Sequence, residues 1–219
     1  VPGFEAILFD FDGVLLDSEP VHCACWREVL APLGVPLTWE VYAARCVGEP
    51  DRAMMEILAG LCDPPVDARK LWEQYARKQQ LFRERMAVDP PFAPGVAEFF
   101  GELSGRYKLA VVSSSGRGEV EPPLEAAGIR AYLGTLVCGE DVERHKPAPD
   151  PYLLAARRLG VRHALVVEDS LAGMASARAA GFEAVRVTDP ARTIEIVRER
   201  LGLSSARTPR RRGPRKRPA

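Results

Sequence analysis

The segment ILFDFDGVLLDSE runs apolar for three residues and then places two aspartates, Asp10 and Asp12, one residue apart. A strand gains no stability from ending on a pair of acids, because such residues are poor strand formers. Three further polar points follow comparable apolar runs: Ser113 closes YKLAVVS, Lys146 comes a few residues after GTLVC, and Glu168 with Asp169 follows HALVV. If those runs are parallel strands, their carboxyl ends share one edge, and the six acidic, hydroxyl and basic residues converge on a single crevice.

Four carboxylates in one pocket carry four negative charges, and Lys146 offsets one. Such a cluster calls for a cation, and an all-oxygen donor set selects a hard one, expected here to be Mg²⁺. A divalent ion also allows a phosphate dianion to approach an aspartate that would otherwise repel it. With their spacing, Asp10 and Asp12 both face the crevice, one as nucleophile and one beside the leaving group. Attack by Asp10 on phosphorus would give an aspartyl-phosphate. Asp12, among other carboxylates, would hold a proton long enough to act as acid and then as base. Ser113 would donate to a phosphoryl oxygen, Lys146 would neutralise charge there and orient Asp10, and Gly13 permits a tight turn beside the nucleophile.

The elements that must position these groups are legible as short apolar runs at 5–9, 107–112, 134–138, 163–167 and 182–187. They lack polar alternation, as strands covered on both faces do. Between the last four lie segments of helical length, 122–127, 150–159 and 170–180, with Asp150 expected as an N-cap, Pro151 at the first helical position, and Gly160 and Gly181 past the ends. Alternating strands and helices predict an α/β fold: a Rossmann-like, doubly wound parallel sheet. Residues 17–92 contain no convincing strand. There, 21–33 and 67–86 read as helices, the first with Trp26, Leu30 and Leu33 in one stripe, the second opened by Asp67. The expected organisation is a core at 1–16 and 93–203 with an inserted all-helical domain at 17–92.

The 219 residues suffice for a sizeable core, and 47% hydrophobic with 27% charged residues is the composition of a globular chain. No apolar stretch reaches the roughly 18 to 20 residues of a membrane span, and the first residues lack a basic, cleavable leader. The five cysteines are odd in number, include no C-x-x-C, and sit in apolar segments, so reduced buried thiols and a cytoplasmic location are expected. The net charge of zero hides an asymmetry: the segment 204–219 carries seven of the thirty Lys and Arg and no acid, leaving 23 bases against 30 acids elsewhere. That basic, proline-rich tail is expected to be disordered, and it is the sole feature that would suit nucleic acid.

DFDGV at 10–14, Ser113 closing LAVVS, KPAPDPY from 146 and VVEDSLAG from 166 resemble, in order, the four motifs of the haloacid dehalogenase superfamily. The resemblance covers residues 4–190. It implies Asp10 as nucleophile and Asp12 as acid and base, with Mg²⁺ held by the Asp10 carboxylate, the Asp12 main-chain carbonyl, Asp169 and, directly or through water, Glu168. It makes the helical insert a mobile cap. The Glu-Asp pair and DSEPVHCACW are similar to the branch of β-phosphoglucomutases and sugar phosphate phosphatases, in which positions matching His22, Trp26, Gly48 and Lys78 lie near the cap and core boundary or the substrate.

The chain departs from the mutase pattern. Arg52 stands beside Asp51, which occupies the mutases' arginine position, Arg117 replaces an asparagine in the loop SSGRG, and Pro122 and Pro123 shorten the start of the next helix. Arg52, Ser114 and Arg117 are therefore expected contacts for substrate, the two arginines for its phosphate. The function expected is Mg²⁺-dependent hydrolysis of a small phosphomonoester, a sugar phosphate, by a monomeric enzyme. The alternative is a phosphosugar mutase, which differs in keeping water from the aspartyl-phosphate. A non-enzymatic phosphate sensor ranks below both, and a dehalogenase has little use for Asp12 or Mg²⁺. The partner expected is a small phosphorylated metabolite, with no membrane and no nucleic acid.

Overall fold

The computed structural model describes residues 3–47, 49 and 51–203, the side chain of Asp51 aside; the tail at 204–219 lies outside the described residues. Five strands, β1 (Ala6–Phe9), β2 (Lys108–Val112), β3 (Thr135–Val137), β4 (Ala164–Glu168) and β5 (Glu183–Arg186), form one sheet. Their order is β3-β2-β1-β4-β5 and every pairing is parallel. Strand β1 is central, with Phe9 level with Val111 on one side and Val167 on the other.

The two-residue period of a strand divides its side chains between two apolar layers. Ile7, Phe9, Leu109, Val111, Leu165 and Val167 enter one. Ala6, Leu8, Ala110, Val112, Ala164 and Val166 enter the other, where they meet Tyr152, Ala155 and Ala177 from the helices. Both faces are covered at β1 to β4, which is why those strands read as apolar runs, whereas the edge strand β5, expected to be buried on both faces, exposes Glu183 and Arg186 and only half buries Ala184 and Val185.

Between β1 and β2 the described residues hold helices and no strand: α1 (Glu19–Leu30), α2 (Trp39–Arg45), α3 (Asp51–Ala59), α4 (Ala68–Trp72), α5 (Tyr75–Val88) and α6 (Val96–Ser104). The single helix expected over 67–86 is two helices, α4 and α5, interrupted at Glu73 and Gln74. Asp67 does cap the first, accepting from the Arg69 N–H at 2.9 Å. The apolar period carries on across the interruption, so the pattern alone hides it. Trp72 and Tyr75, on either side, stack at 4.4 Å.

The second half supplies α7 (Arg117–Ala126), α8 (Asp150–Leu159), α9 (Leu171–Ala179) and α10 (Thr193–Leu201). Helix α7 starts five residues earlier than expected, with Pro122 and Pro123 inside it. Each proline removes an N–H from the ladder, but burial of Val120, Pro123 and Leu124 outweighs that local loss. Asp150 is the first residue of α8 rather than its cap, and its Oδ1 accepts from Arg144. Gly160 and Gly181 are left-handed, at φ +66° and +80°, as helix ends require. All five cysteines are buried and unpaired. No described helix is long and apolar enough to cross a membrane.

One buried contact secures the loop that follows β1. The Thr193 hydroxyl, at the start of α10, donates to the Val14 carbonyl at 2.6 Å. Thr193→Val keeps the shape and strands that carbonyl, so a loss of about 1–3 kcal/mol in urea unfolding is expected.

Candidate active site

Main-chain pairing brings the polar residues together. Asp10 N–H donates to the Val167 carbonyl and Ser113 N–H to the Val137 carbonyl, each at 2.9 Å, so both residues sit one step past the strands at the same edge. With Glu168 ending β4, three neighbouring strands open on a cavity of about 300 Å³ lined by Asp10, Asp12, Ser113, Ser114, Lys146 and Asp169, among others.

Lys146 arrives from the loop before α8 and bridges the acids. Its ammonium donates to Asp10 Oδ1 at 2.5 Å, Glu168 Oε1 at 2.6 Å and the Val112 carbonyl at 3.0 Å, which uses all three of its hydrogens. Glu168 is fully buried. Its Oε1 also accepts from the Tyr152 hydroxyl at 2.9 Å, and its Oε2 accepts from the N–H and hydroxyl of Ser170 at 2.9 and 3.0 Å. Ser170 in turn caps α9 by accepting from the Gly173 N–H.

Burial would raise the Glu168 carboxyl, but Lys146 and these donors hold it below the usual carboxylate range. Asp10 goes the other way. Its burial, reinforced by the charges of Glu168 and Asp12, outweighs Lys146 and lifts it to about 7. Asp169 rises to about 6 through burial and the neighbouring Glu168. Asp12 is also raised by burial, against two hydroxyl donors, Ser18 at 2.6 Å and Ser115 at 3.2 Å.

Carboxylate oxygens of Asp10, Glu168 and Asp169 lie within 4.8 Å of one another. This all-oxygen set with excess negative charge fits a hard cation. Two glycines make room for two of these carboxylates. A Cβ on Gly173 would lie 1.7 Å from Glu168 Oε1, and a Cβ on Gly13, whose φ is +71°, would lie 2.3 Å from Asp169 Oδ2.

The residues expected at the substrate divide. Ser114 lines the cavity. His22 lines a second cavity beside it, accepts at Nδ1 from the Lys78 ammonium at 2.7 Å, and stacks on Phe82 at 4.0 Å. Lys78 is buried, and Trp26 is fully buried in the helical layer rather than on a cavity wall. The two arginines are elsewhere: Arg52 lies over the Trp72 ring at 4.5 Å, and the Arg117 guanidinium pairs with Asp141 at 2.7 Å. Each has a partner outside the cavity, and neither lines it. Gly48 lies outside the described residues. Ser18, Ser115, Tyr152, Ser170 and Gly173 were not anticipated. All five fall within stretches already singled out, Ser170 and Gly173 in VVEDSLAG, Tyr152 in KPAPDPY, Ser115 in SSGRG and Ser18 in DSEPVHCACW, but residue type alone does not say which acid each one meets.

The family model described as haloacid dehalogenase-like hydrolase matches residues 7–187. The chain belongs to that family, and it is accordingly a hydrolase. Among its relatives is the fructose-1-phosphate phosphatase YqaB of Escherichia coli K12, 33% identical over 187 residues that cover 84% of this chain and 96% of the relative. The phosphorylated carbohydrates phosphatase of Thermotoga maritima is 32% identical over 185 residues, 83% of each chain. The crystal structure of CbbY from Rhodobacter sphaeroides in complex with phosphate superposes with a TM-score of 0.61 at 29% identity, covering 83% of this chain and 84% of that one.

Two outcomes are expected. Gly173→Ala drives a methyl into the Glu168 carboxylate, so it should lower stability by about 3 kcal/mol or more in denaturant titrations and abolish activity. The second concerns acid. Burial and the Lys78 charge push the His22 imidazole down to about 3. The unfolded chain takes up this proton near pH 6.5 and the folded chain does not, so the stability is complete above about pH 6.5 and is lost as pH falls from there toward 3. About 2 kcal/mol should be gone by pH 5. In His22→Gln, whose side-chain oxygen can still accept from Lys78, the urea midpoint should fall less between pH 7 and 5 than in the parent.

Proposed function

We propose that the protein is a Mg²⁺-dependent phosphatase that hydrolyses a small phosphomonoester, a sugar phosphate, through an aspartyl-phosphate on Asp10. The observation that carries this reading is the pairing of two differently prepared acids in one cavity. Asp10 has one oxygen tied to Lys146, which leaves Oδ2 to attack phosphorus. Asp12, two residues on, is held by Ser18 and Ser115 and biased by burial to keep a proton.

In the first step the Asp10 oxygen to phosphorus bond forms, the bond from phosphorus to the leaving oxygen breaks, and Asp12 gives that oxygen its proton. In the second, Asp12 takes a proton from water as the water attacks phosphorus, and Asp10 and inorganic phosphate are released. The Ser113 hydroxyl oxygen already accepts from the Ser115 N–H at 3.0 Å, so its own hydrogen is available for a phosphoryl oxygen. Lys146 keeps Asp10 oriented and balances charge as it develops. Asp10 and Asp169, with Glu168 and the Asp12 main-chain carbonyl, would hold Mg²⁺, which when bound neutralises the acids and the phosphate dianion. Helices α1 to α5, within 17–92, serve as the cap that admits substrate and excludes bulk water.

The test is a phosphorus NMR time course with Mg²⁺ and a hexose monophosphate. Inorganic phosphate is the expected product, and a shifted hexose phosphate formed in its place would replace this reading with a mutase. Asp10→Asn should be folded and at least about a thousandfold slower. Asp12→Asn should lose about a hundredfold or more. Full turnover in Asp10→Asn would exclude the covalent route.

A further inference from the structure

Beside the acidic cavity lies a second one of about 290 Å³, and the two share Glu19 and Ser115 in their walls. Ser115 donates to Asp12 at 3.2 Å and lines both cavities, so an ester whose leaving oxygen faces Asp12 would have its alcohol portion at the mouth of this second space. This argument rests on the phosphatase reading above, and it concerns what that alcohol is.

The walls there are polar and one-signed. Glu19, Glu49 and Glu119 contribute carboxylates, Tyr42 and Ser115 contribute hydroxyls, and His22 contributes an imidazole. No lysine or arginine stands among the described residues of this wall. The cations that would receive a second phosphate or a carboxylate are committed elsewhere: Arg52 to the Trp72 face, Arg117 to Asp141, and the buried Lys78 to His22. Because the Lys78 ammonium can only donate, Nδ1 of His22 is the acceptor and Nε2 carries the hydrogen, so the ring is a neutral donor.

Glu19 is fixed in place. As the first residue of α1 it has Oε2 accepting from the Tyr42 hydroxyl at 2.8 Å, which leaves Oε1 for a ligand. A carboxylate oxygen held this way suits a hydroxyl hydrogen and repels an anion. At an effective dielectric of about 20, an anionic group within about 6 Å of one carboxylate is disfavoured on the order of a hundredfold.

We infer that the leaving group is an uncharged, hydroxyl-bearing alcohol, and that Glu19 and Glu49 set this specificity by excluding a second anionic group. The enzyme is thereby distinguished from one that takes bisphosphates or phosphorylated carboxylic acids.

The experiment compares kcat/KM, with Mg²⁺ present, for fructose 1-phosphate, fructose 1,6-bisphosphate, phosphoglycolate and p-nitrophenyl phosphate, the last reporting hydrolysis without sugar recognition. Fructose 1-phosphate should exceed both doubly anionic substrates by at least about tenfold. Glu19→Gln and Glu49→Gln should each narrow that ratio about threefold or more, and added salt should narrow it in the parent. Glu49 is exposed, so its variant carries the test even where Glu19→Gln fails to fold. Equal or better use of phosphoglycolate or the bisphosphate, with p-nitrophenyl phosphate turned over, would overturn this inference and leave the phosphatase standing. Absence of turnover on every substrate would instead overturn the phosphatase reading, and this inference with it.

Discussion

The Lys146 ammonium lies between two carboxylates, 2.5 Å from Asp10 and 2.6 Å from Glu168, in a place almost closed to water. Removing three charges from solvent is costly, and the mutual attraction offsets that cost only when every remaining hydrogen and lone pair is satisfied. Much of the surrounding structure meets that condition. Val112 at the end of β2 takes the third hydrogen of Lys146, Tyr152 reaches in from α8, and Ser170 turns both its N–H and its hydroxyl to Glu168. Gly173 lacks the side chain that would collide with that carboxylate. Strands β1, β2 and β4 must therefore be neighbours, and the sheet order makes them so.

The same arrangement leaves two acids unsatisfied in charge. Glu168 is stabilised as an anion, while Asp10 and Asp169 are raised to about 7 and about 6. One lysine cannot balance three carboxylates, so the fold keeps a surplus of negative charge where the strands end. The surplus weakens the folded state at that point and prepares it for a cation. Asp12 adds to that surplus but is held differently. Its partners are hydroxyls rather than charges, which orient it without forcing it to ionise.

The helical layer attaches to the site through the residues right after Asp12. Leu15 and Leu16 are fully buried and continuous with an apolar layer that runs from Phe9 and Phe100 to Trp26 and Leu71. Ser18 and Glu19 follow directly, one on Asp12 and the other on Tyr42 of α2. A short stretch of chain thus links the acid proposed to handle the proton to the wall proposed to meet the rest of the substrate. On that proposal, chemistry and specificity are adjacent in sequence as well as in space.

Residue types and periods determined the strands to within about a residue at each end, because β1 to β4 are buried on both faces and must be largely apolar, while β5 at the sheet edge keeps exposed Glu183 and Arg186. They also marked Asp10, Asp12, Ser113, Lys146, Glu168 and Asp169, since polar residues following such runs lie at the carboxyl edge of a parallel sheet. Pairing by tertiary structure decided the rest. Local sequence placed Arg52 and Arg117 at the substrate, but Trp72 and Asp141, 20 and 24 positions away, hold them outside the cavity. The interruption at Glu73 and Gln74 lay hidden under an unbroken apolar period, and packing of α7 overrode its two prolines. Tyr152 and Ser115 meet acids 16 and 103 positions away, pairings that their places in KPAPDPY and SSGRG do not announce. A side chain's type limits what it can do, but its partner depends on which distant segments the folded sheet and its helices bring within hydrogen-bonding distance.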